Sequence, residues 1–377
     1  MKWFGYTSRI FILKAASLFL LSDFALASAQ DSQRFEARGF KGSRTTLAYR
    51  LFKPKNYSAT QKYPIVVALH GAGERGVDNK VQVDREDIAK PFIADSMQSR
   101  VPHFVLVPQC PPDPMVWGGS ADASISAPAL AVAELLDSLK EEFPLDTNRF
   151  YLTGLSMGGA GAYHLLKFRP GLFAAAVPCA ASGDTSAAAI IAQAAIWDFK
   201  GSEDAAVPVA KSRGMMAAFE SRGLKVVRFV SQAPFTAPGI NAYGDAIKNG
   251  TKAVDLVAKN PTGIAYDSLQ RAVAGGANIL YSEVTGGDHR TGWMTAYHHP
   301  LMTPWLFSKV KSGGSSVSIV PKAAASKHGR DGVVLIFHSP ANGSGRLFSM
   351  QGRRLDSHFT EVGNGSQGLP RLLLQAP

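Results

Sequence analysis

Apolar residues along the chain recur in two patterns, and together these patterns predict alternating strands and helices between residues 35 and 311. Short continuous apolar runs bounded by turn residues are typical of strands that are buried on both faces. Such runs lie at 47–52, 65–69, 104–107, 149–152, 174–177, 194–199 and 279–284. Apolar residues at helical spacing predict helices at 129–139 and 158–168, each followed or preceded by a proline that marks a helix boundary.

Strands that alternate with helices form a mostly parallel, twisted sheet with helices on both faces. In sheets of this kind, ligands bind at the carboxyl ends of the strands. The sequence therefore predicts the α/β class, and it predicts that functional side chains lie in the turns that directly follow the apolar runs.

Composition narrows the class of protein. The chain has 377 residues, of which 46% are hydrophobic and 18% charged, so it can bury a large core. Its 2 cysteines exclude a disulfide-dense scaffold and a cysteine-rich metal cage. The net charge of +11 allows an anionic partner. No run of five or six basic residues occurs, however, so we expect a solvated basic surface and no nucleic-acid partner.

The amino-terminal segment has the features of a cleavable signal peptide at residues 1–29. Lys2, Arg9 and Lys14 precede or flank an apolar stretch at 15–21, and Ala27-Ser28-Ala29 supplies small residues at cleavage-site spacing. The alternative is a membrane anchor, but the apolar stretch is too short to span about 30 Å of hydrocarbon. We expect a secreted or periplasmic protein without stable membrane insertion.

The carboxyl-terminal segment differs from the rest. Ser and Gly residues at 312–316 have the composition of a flexible linker, and short apolar runs at 333–337, 346–350 and 371–374 lie between turn residues. We therefore predict a small β-rich module at 317–377. Its segment 345–355 is similar to carboxyl-terminal β-modules that direct sorting or surface attachment in secreted bacterial enzymes; a plain stabilising extension is the alternative.

One turn after a predicted strand carries a nucleophile motif. Gly154-Leu155-Ser156-Met157-Gly158 matches G-x-S-x-G, and it lies between the strand at 149–152 and the helix at 158–168. In this context the serine occupies a strained strand-to-helix turn that exposes its hydroxyl, and the glycines avoid a clash of Cβ atoms. The alternative is a helix-capping serine in a Gly-rich helix start.

The turns after other strands supply partners for this serine. Asp204 follows the run at 194–199, and His289 follows the run at 279–284. A histidine is needed to take the proton of Ser156, and a carboxylate is needed to hold that histidine in the right tautomer. The loop at 70–73 can offer a backbone N–H which, with that of Met157, would form an oxyanion hole.

Five segments, in order, are similar to α/β-hydrolases of the secreted esterase and depolymerase type. That group includes feruloyl and acetyl-xylan esterases and polyhydroxyalkanoate depolymerases. The segments lie at 69–76, 108–111, 154–159, 201–208 and 287–289. The resemblance implies an α/β-hydrolase domain at 30–311 that cleaves carboxylic esters without a metal or another cofactor. It also implies site residues: the nucleophile Ser156, the acid Asp204, the base His289, and the oxyanion donors Ala72 and Met157.

Three other acids are alternatives to Asp204: Glu203, Asp198 and Asp184. Asp288 precedes His289 directly and is expected to be structural, because adjacent loop residues rarely point the same way. His298-His299 lack an acidic or cysteine partner, so we do not expect a metal site there.

Two features are open between a functional and a structural role. Asp204 and His289 are separated by enough sequence for two helix-strand units, so an insertion lies within 208–265 and is either a lid beside the active site or a surface excursion. Trp117 lies in a Pro/Gly loop and either lines the substrate pocket or packs in the interior.

Cys110 and Cys179 follow different strands and are expected to be free and buried.

The leading hypothesis is a secreted serine esterase that acts on ester-bearing polymers, or on their fragments, of the polysaccharide or polyester kind. A prolyl-oligopeptidase-like peptidase shares the fold and the catalytic residues, but no repeat pattern here predicts its propeller domain. A non-catalytic binding protein on a hydrolase fold is the alternative from another class, and the presence of all three catalytic residues in order argues against it.

Overall fold

The computed structural model describes residues 31–232, 261–263 and 266–311, and the strand segments 317–320, 334–337, 346–348 and 354–355. The predicted signal peptide at 1–29, the linker at 312–316 and most of the carboxyl-terminal module lie outside these residues. So do residues 233–260 and 264–265 of the segment 208–265, in which the insertion is predicted.

Ten strands form one sheet in the described part of the chain. In chain order they are β1 Glu36–Lys41, β2 Thr46–Phe52, β3 Tyr63–Leu69, β4 Phe104–Gln109, β5 Leu145–Leu155, β6 Ala175–Cys179, β7 Ala195–Gly201, β8 Val226–Gln232, β9 Pro261–Gly263 and β10 Ile279–Thr285. Their order across the sheet is β1-β2-β4-β3-β5-β6-β7-β10-β8-β9. Neighbours from β4 to β8 run parallel, whereas β1, β2 and β9 pair antiparallel. The predicted mostly parallel sheet is confirmed.

Helices cover both faces of this sheet. Within the described residues they are α1 Val81–Asp84, α2 Lys90–Ile93, α3 Asp95–Arg100, α4 Ala127–Glu142, α5 Met157–Phe168, α6 Ala188–Ile191, α7 Val209–Glu220, α8 Tyr266–Ala274, α9 Thr291–His298 and α10 Met302–Phe307. Helices α4 to α7 pack on one face, and α1 to α3 with α8 to α10 pack on the other.

The strand β3 shows why its sequence is continuously apolar. Ile65, Val67 and Leu69 contribute to the core on the α4–α7 side, whereas Val66 and Ala68 contribute to the core on the opposite side. Since both faces of the strand are covered, no position along it reaches water. Burial of each large aliphatic side chain stabilises the fold by roughly 1.5–3 kcal/mol relative to exposure.

Helix boundaries follow from the caps that the sequence supplies. The hydroxyl of Ser126 accepts a hydrogen bond from the backbone N–H of Ala129, and Pro128 occupies the first turn of α4. This satisfies one of the free donors at the helix start, and proline has no N–H to satisfy there. The helix is accordingly longer than the predicted 129–139.

The first half of the segment 208–265 adds one helix and one strand to the fold. The helix α7 and the strand β8 are one of the two helix-strand units for which the sequence between Asp204 and His289 has room. Strand β8 lies beyond β10 and pairs with it in parallel, so it extends the sheet at this edge. Whether the remaining residues of 208–265 form a lid stays a prediction.

Both cysteines are free and buried. Cys110 follows β4 and Cys179 ends β6, and the strands β3 and β5 lie between them. Because neighbouring strands are about 4.8 Å apart, this separation is too wide for a disulfide.

The carboxyl-terminal strand segments pair with one another. They are β11 Val317–Val320, β12 Val334–Phe337, β13 Arg346–Phe348 and β14 Arg354–Leu355, and they form an antiparallel sheet in that order. Two of the predicted runs coincide with β12 and β13, and the run at 371–374 lies outside the described residues. None of the described helices has the length and apolarity needed to cross a membrane.

Candidate active site

The turn between β5 and α5 holds Ser156 in a strained conformation. Its φ is 52° and its ψ is −115°, values that side-chain-bearing residues rarely adopt. The turn is possible because a Cβ at Gly154 would overlap the backbone of Gly158, and a Cβ at Gly158 would overlap the carbonyl oxygen of Leu69. The conformation directs the serine side chain away from the strand and places it at the amino end of the helix.

Two hydrogen bonds connect three side chains at the carboxyl ends of β5, β7 and β10. Nε2 of His289 lies 2.8 Å from Oγ of Ser156, and Nδ1 of His289 lies 2.8 Å from Oδ2 of Asp204. An ionised carboxylate only accepts hydrogen bonds, so Nδ1 carries the proton. In the neutral ring Nε2 is then an acceptor, positioned to receive the proton of the serine hydroxyl.

Asp204 is held as an anion by its surroundings. Its Oδ1 accepts hydrogen bonds from the backbone N–H groups of Ala206, at 2.9 Å, and Val207, at 2.8 Å. Burial alone raises the pKa of this carboxyl, but hydrogen bonds from His289, from Lys200 and from the backbone outweigh it and lower the pKa to about 2. The carboxylate therefore stays ionised through the whole neutral and mildly acidic range.

The loops that carry the acid and the histidine are tied to each other. The N–H of Ser202 donates to the carbonyl of Val284 at 2.9 Å, and the N–H of Glu203 donates to the carbonyl of Gly287 at 2.8 Å. A Cβ at Gly201 would overlap the backbone of Gly287. These contacts fix the separation of Asp204 and His289, although the two residues are far apart in sequence.

The loop after β3 is braced next to the serine turn. Nδ1 of the buried His70 lies 2.7 Å from the carbonyl oxygen of Gly71, and Nε2 of His70 accepts the N–H of Cys110 at 2.8 Å. Because C=O and N–H point in opposite directions in a trans peptide, fixing the carbonyl of Gly71 also fixes the N–H of Ala72. A Cβ at Gly71 would contact the Leu155 side chain, so this loop lies against the serine turn.

Comparisons with known proteins identify the fold. No protein-family profile matches the chain. A thermostable esterase of known structure is 30% identical, with a TM-score of 0.57, over 74% of this chain and 64% of that one. The chain has the α/β-hydrolase fold, so the expected fold is confirmed.

Two more relatives were found. The bifunctional acetylxylan esterase/xylanase XynS20E of Neocallimastix patriciarum is 42% identical over 48 residues, which is 13% of this chain and 7% of that protein. A mutant feruloyl esterase module from Clostridium thermocellum, in complex with sinapinate, is 13% identical with a TM-score of 0.46, over 72% of this chain and 87% of that one. The chain thus spans less than two thirds of the thermostable esterase and a small part of the curated relative.

The side chain of Trp117 packs in the interior, which is one of the two expectations for it. The side chain is fully buried, with 0% of its surface exposed. Its indole N–H donates to the carbonyl of His70 at 3.1 Å, and its Cβ packs against Gly161 of α5. Trp117 therefore packs between α5 and the loop after β3 and supports that loop.

The structure places the three alternative acids away from the histidine. Asp198 is fully buried and accepts a hydrogen bond from the hydroxyl of Tyr163 at 2.6 Å. Asp184 pairs with Lys167 at 2.9 Å, and Glu203 is exposed. Their positions leave Asp204 as the acid that contacts His289 among the described residues.

The remaining predicted positions have structural contacts. Oδ1 of Asp288 accepts hydrogen bonds from the N–H and the hydroxyl of Thr291, both at 2.9 Å, at the start of α9. His298 lies 3.3 Å from Asp87, and the ring of His299 packs edge-on against Trp197. No group of three potential ligand side chains close enough for a metal occurs in the described part of the chain.

Two residues beside the histidine were not anticipated from the sequence. The ring of Trp293 packs edge-on against His289, with ring centres 5.1 Å apart. Oε2 of Glu86 accepts hydrogen bonds from the indole N–H of Trp293 at 3.2 Å and from Arg290 at 3.3 Å. Glu86 comes from a segment with no regular pattern between β3 and β4, so only the folded chain brings it to this place.

Lys200 is a third residue that the sequence analysis did not single out. Its Nζ lies 2.6 Å from Oδ2 of Asp204, and neither side chain is exposed to water. A signal was present in the sequence, because a lysine directly follows the apolar run 194–199, where the strand is buried on both faces. A charge at such a position needs a partner of opposite sign.

Proposed function

We propose that this α/β-hydrolase cleaves carboxylic esters through a Ser156–His289–Asp204 triad and an acyl-enzyme intermediate. The observation that carries the proposal is the continuous hydrogen-bond path from Ser156 Oγ through both nitrogens of His289 to Asp204 Oδ2. It begins at a serine held in a strained turn at the amino end of a helix, which is a costly arrangement for a purely structural residue.

In the first half-reaction, Oγ of Ser156 attacks the ester carbonyl carbon while Nε2 of His289 takes the hydroxyl proton. The carbonyl C=O becomes a tetrahedral oxyanion. When it collapses, the bond to the alcohol oxygen breaks, and the alcohol leaves with the proton from His289. Asp204 stabilises the imidazolium that exists between these two steps and keeps Nδ1 facing away from the serine.

In the second half-reaction, water replaces the alcohol. His289 takes a proton from the water, whose oxygen attacks the acyl carbon, and the serine oxygen leaves with that proton. The products are a carboxylic acid and free Ser156. No electron is exchanged with any other group, so the reaction is complete with the side chains and water alone.

Two backbone N–H groups are proposed to bind the oxyanion. That of Met157 is in the first turn of α5, where the N–H has no partner within the helix and the helix dipole favours negative charge. That of Ala72 is oriented by the bond between His70 and the carbonyl of Gly71. Donors of this kind, fixed before the reaction, each contribute roughly 10²–10³-fold to kcat.

We propose that the ester belongs to a polymer or to fragments of one. The 48-residue match to an acetylxylan esterase/xylanase favours an acetyl ester of a polysaccharide such as xylan over a long acyl chain. A signal peptide at 1–29 would place the enzyme outside the cytoplasm, where such polymers are found. Polyesters and feruloyl esters are the alternative substrates.

The test is hydrolysis of p-nitrophenyl esters from acetate to octanoate, and of acetylated xylan, by the wild type and Ser156→Ala. We expect activity highest on the acetate, and a loss on the order of 10⁴-fold or more in the variant. Asp198→Asn, which changes a buried acid that pairs with Tyr163 and not with His289, serves as the matched control. A peptide p-nitroanilide cleaved faster than every ester would overturn the esterase assignment, and undiminished turnover in Ser156→Ala would overturn the triad.

A further inference from the structure

The acid of the triad is shared between two cationic or potentially cationic donors. Oδ2 of Asp204 accepts both from Nδ1 of His289, at 2.8 Å, and from Nζ of Lys200, at 2.6 Å. Nζ of Lys200 also donates to the carbonyl oxygen of Val207. The ammonium group of Lys200 offsets the negative charge of the Asp204 carboxylate. Without it, His289 would be next to the full negative charge.

The side chain of Lys200 lies in the interior of the protein and not on its surface. Its side chain is 0% exposed, and it extends from β7, which has neighbouring strands on both sides. A buried lysine loses its hydration, and this loss is tolerated only where anionic partners replace the water. Besides Asp204, the fully buried Asp198 two positions earlier interacts electrostatically with Lys200.

Other charged groups next to the histidine bond to partners of their own. Arg290, the next residue, pairs with Glu86 at 3.3 Å. Asp288, the preceding residue, directs Oδ1 to Thr291 at the start of α9. From α9 itself, the ring facing His289 is the uncharged Trp293. Among the described residues, Lys200 is therefore the cation that contacts Asp204 and offsets its charge on His289.

We propose that Lys200 is a positioning residue that keeps His289 unprotonated, and so competent as a base, at lower pH than an unpaired Asp204 would allow. This inference rests on the proposed function, because it concerns the histidine of the same triad. The lysine acts through Asp204. It reduces the electrostatic stabilisation of the imidazolium by the carboxylate, and it fixes the position of the oxygen to which His289 donates.

The expected size of the effect follows from the geometry. Nζ of Lys200 and Nδ1 of His289 contact the same oxygen at 2.6 and 2.8 Å, so they are no more than about 5 Å apart. A unit charge at that distance shifts a protonation equilibrium by about two pH units at an effective dielectric constant of ~20. The side chain of His289 is 21% exposed, and water reduces the effect further. We expect about one pH unit, which is a tenfold change in the protonation equilibrium.

The experiment measures the rate at which a fluorophosphonate probe labels Ser156 between pH 4 and 9, in the wild type, Lys200→Gln, Lys200→Met and Lys200→Arg. This readout needs no knowledge of the natural substrate. The midpoint of the acid limb should rise by about one unit in the Gln and Met variants, which lack the charge. The midpoint should stay close to the wild-type value in the Arg variant, which keeps the positive charge.

Lys309→Met is the matched control. Lys309 is also buried, but its Nζ donates to the carbonyls of Gly276 and Ala277 at the opposite end of β10. Its replacement should lower the melting temperature without moving the acid limb. An acid limb unchanged in Lys200→Gln, with only the melting temperature lowered, would overturn the proposal and leave Lys200 a structural residue.

Two further outcomes are decisive. If the single Lys200 variants do not fold, Lys200→Gln combined with Asp198→Asn removes one buried charge of each sign, and its acid limb is compared with that of Asp198→Asn alone. The same one-unit rise is expected there, and its absence would overturn the inference. A wild type that the probe does not label at any pH would instead refute the proposed function, on which the role of Lys200 depends.

Discussion

Replacing Asp204 by asparagine tests the proposed triad most directly. The aspartate accepts hydrogen bonds from four donors, two on each oxygen: Ala206 and Val207 on Oδ1, and His289 and Lys200 on Oδ2. Asparagine has one oxygen, and its amide nitrogen only donates. If the oxygen faces the backbone donors, the amide nitrogen faces His289 and donates to Nδ1. This favours the ring tautomer with the proton on Nε2, and a protonated Nε2 cannot accept the proton of the serine hydroxyl.

The consequence has a kinetic and a thermodynamic part. A histidine in the wrong tautomer lowers kcat by about 10⁴-fold, or roughly 5 kcal/mol of transition-state stabilisation. Lys200 also loses its anionic partner in a place without water. Breaking one side of a buried ion pair costs about 3–5 kcal/mol of folding free energy, so Asp204→Asn should also melt at a lower temperature.

The double variant Asp204→Asn/Lys200→Met separates these two parts. It should regain stability, because the unpaired buried charge is gone, but it should regain no activity. The assays are kcat/KM on p-nitrophenyl acetate and thermal unfolding followed by circular dichroism, with Asp198→Asn as the control acid. Activity of Asp204→Asn within tenfold of the wild type, or a 10⁴-fold loss in Asp198→Asn, would refute the reasoning.

Three further predictions concern the scaffold around the site. Gly158→Ala should abolish fluorophosphonate labelling, because the added Cβ overlaps a strand carbonyl; labelling at the wild-type rate would contradict the close approach. Trp117→Phe should lower the free energy of unfolding by roughly 1–3 kcal/mol, since the His70 carbonyl loses its buried donor. Burial lowers the pKa of His70 to about 4, so unfolding takes up a proton and stability falls as the pH drops from 6.5 towards about 4. The urea concentration at the midpoint of unfolding should change less with pH in His70→Asn than in the wild type. The same change with pH in both proteins would refute this.

The sequence determined the parts of this protein that depend on local pattern. Strands such as β3 are buried on both faces, so they are apolar at every position and could be predicted. The turn at Ser156 could be predicted because glycine is needed on both sides of it, and this need is visible in the order of residues. By contrast, β1 is largely exposed and carries no apolar run, so it had no such signal.

Tertiary structure alone decided which side chains share an environment. Trp117 lies in a loop whose composition fits a pocket wall as well as an interior position, and its burial depends on packing against a helix formed later in the chain. Glu86 lies in a segment with no regular pattern, and only the fold brings it to Arg290 and Trp293. The physical reason is that hydrophobic periodicity reports how much of a residue is buried, whereas charge pairing depends on which distant segments the sheet order brings within hydrogen-bond distance.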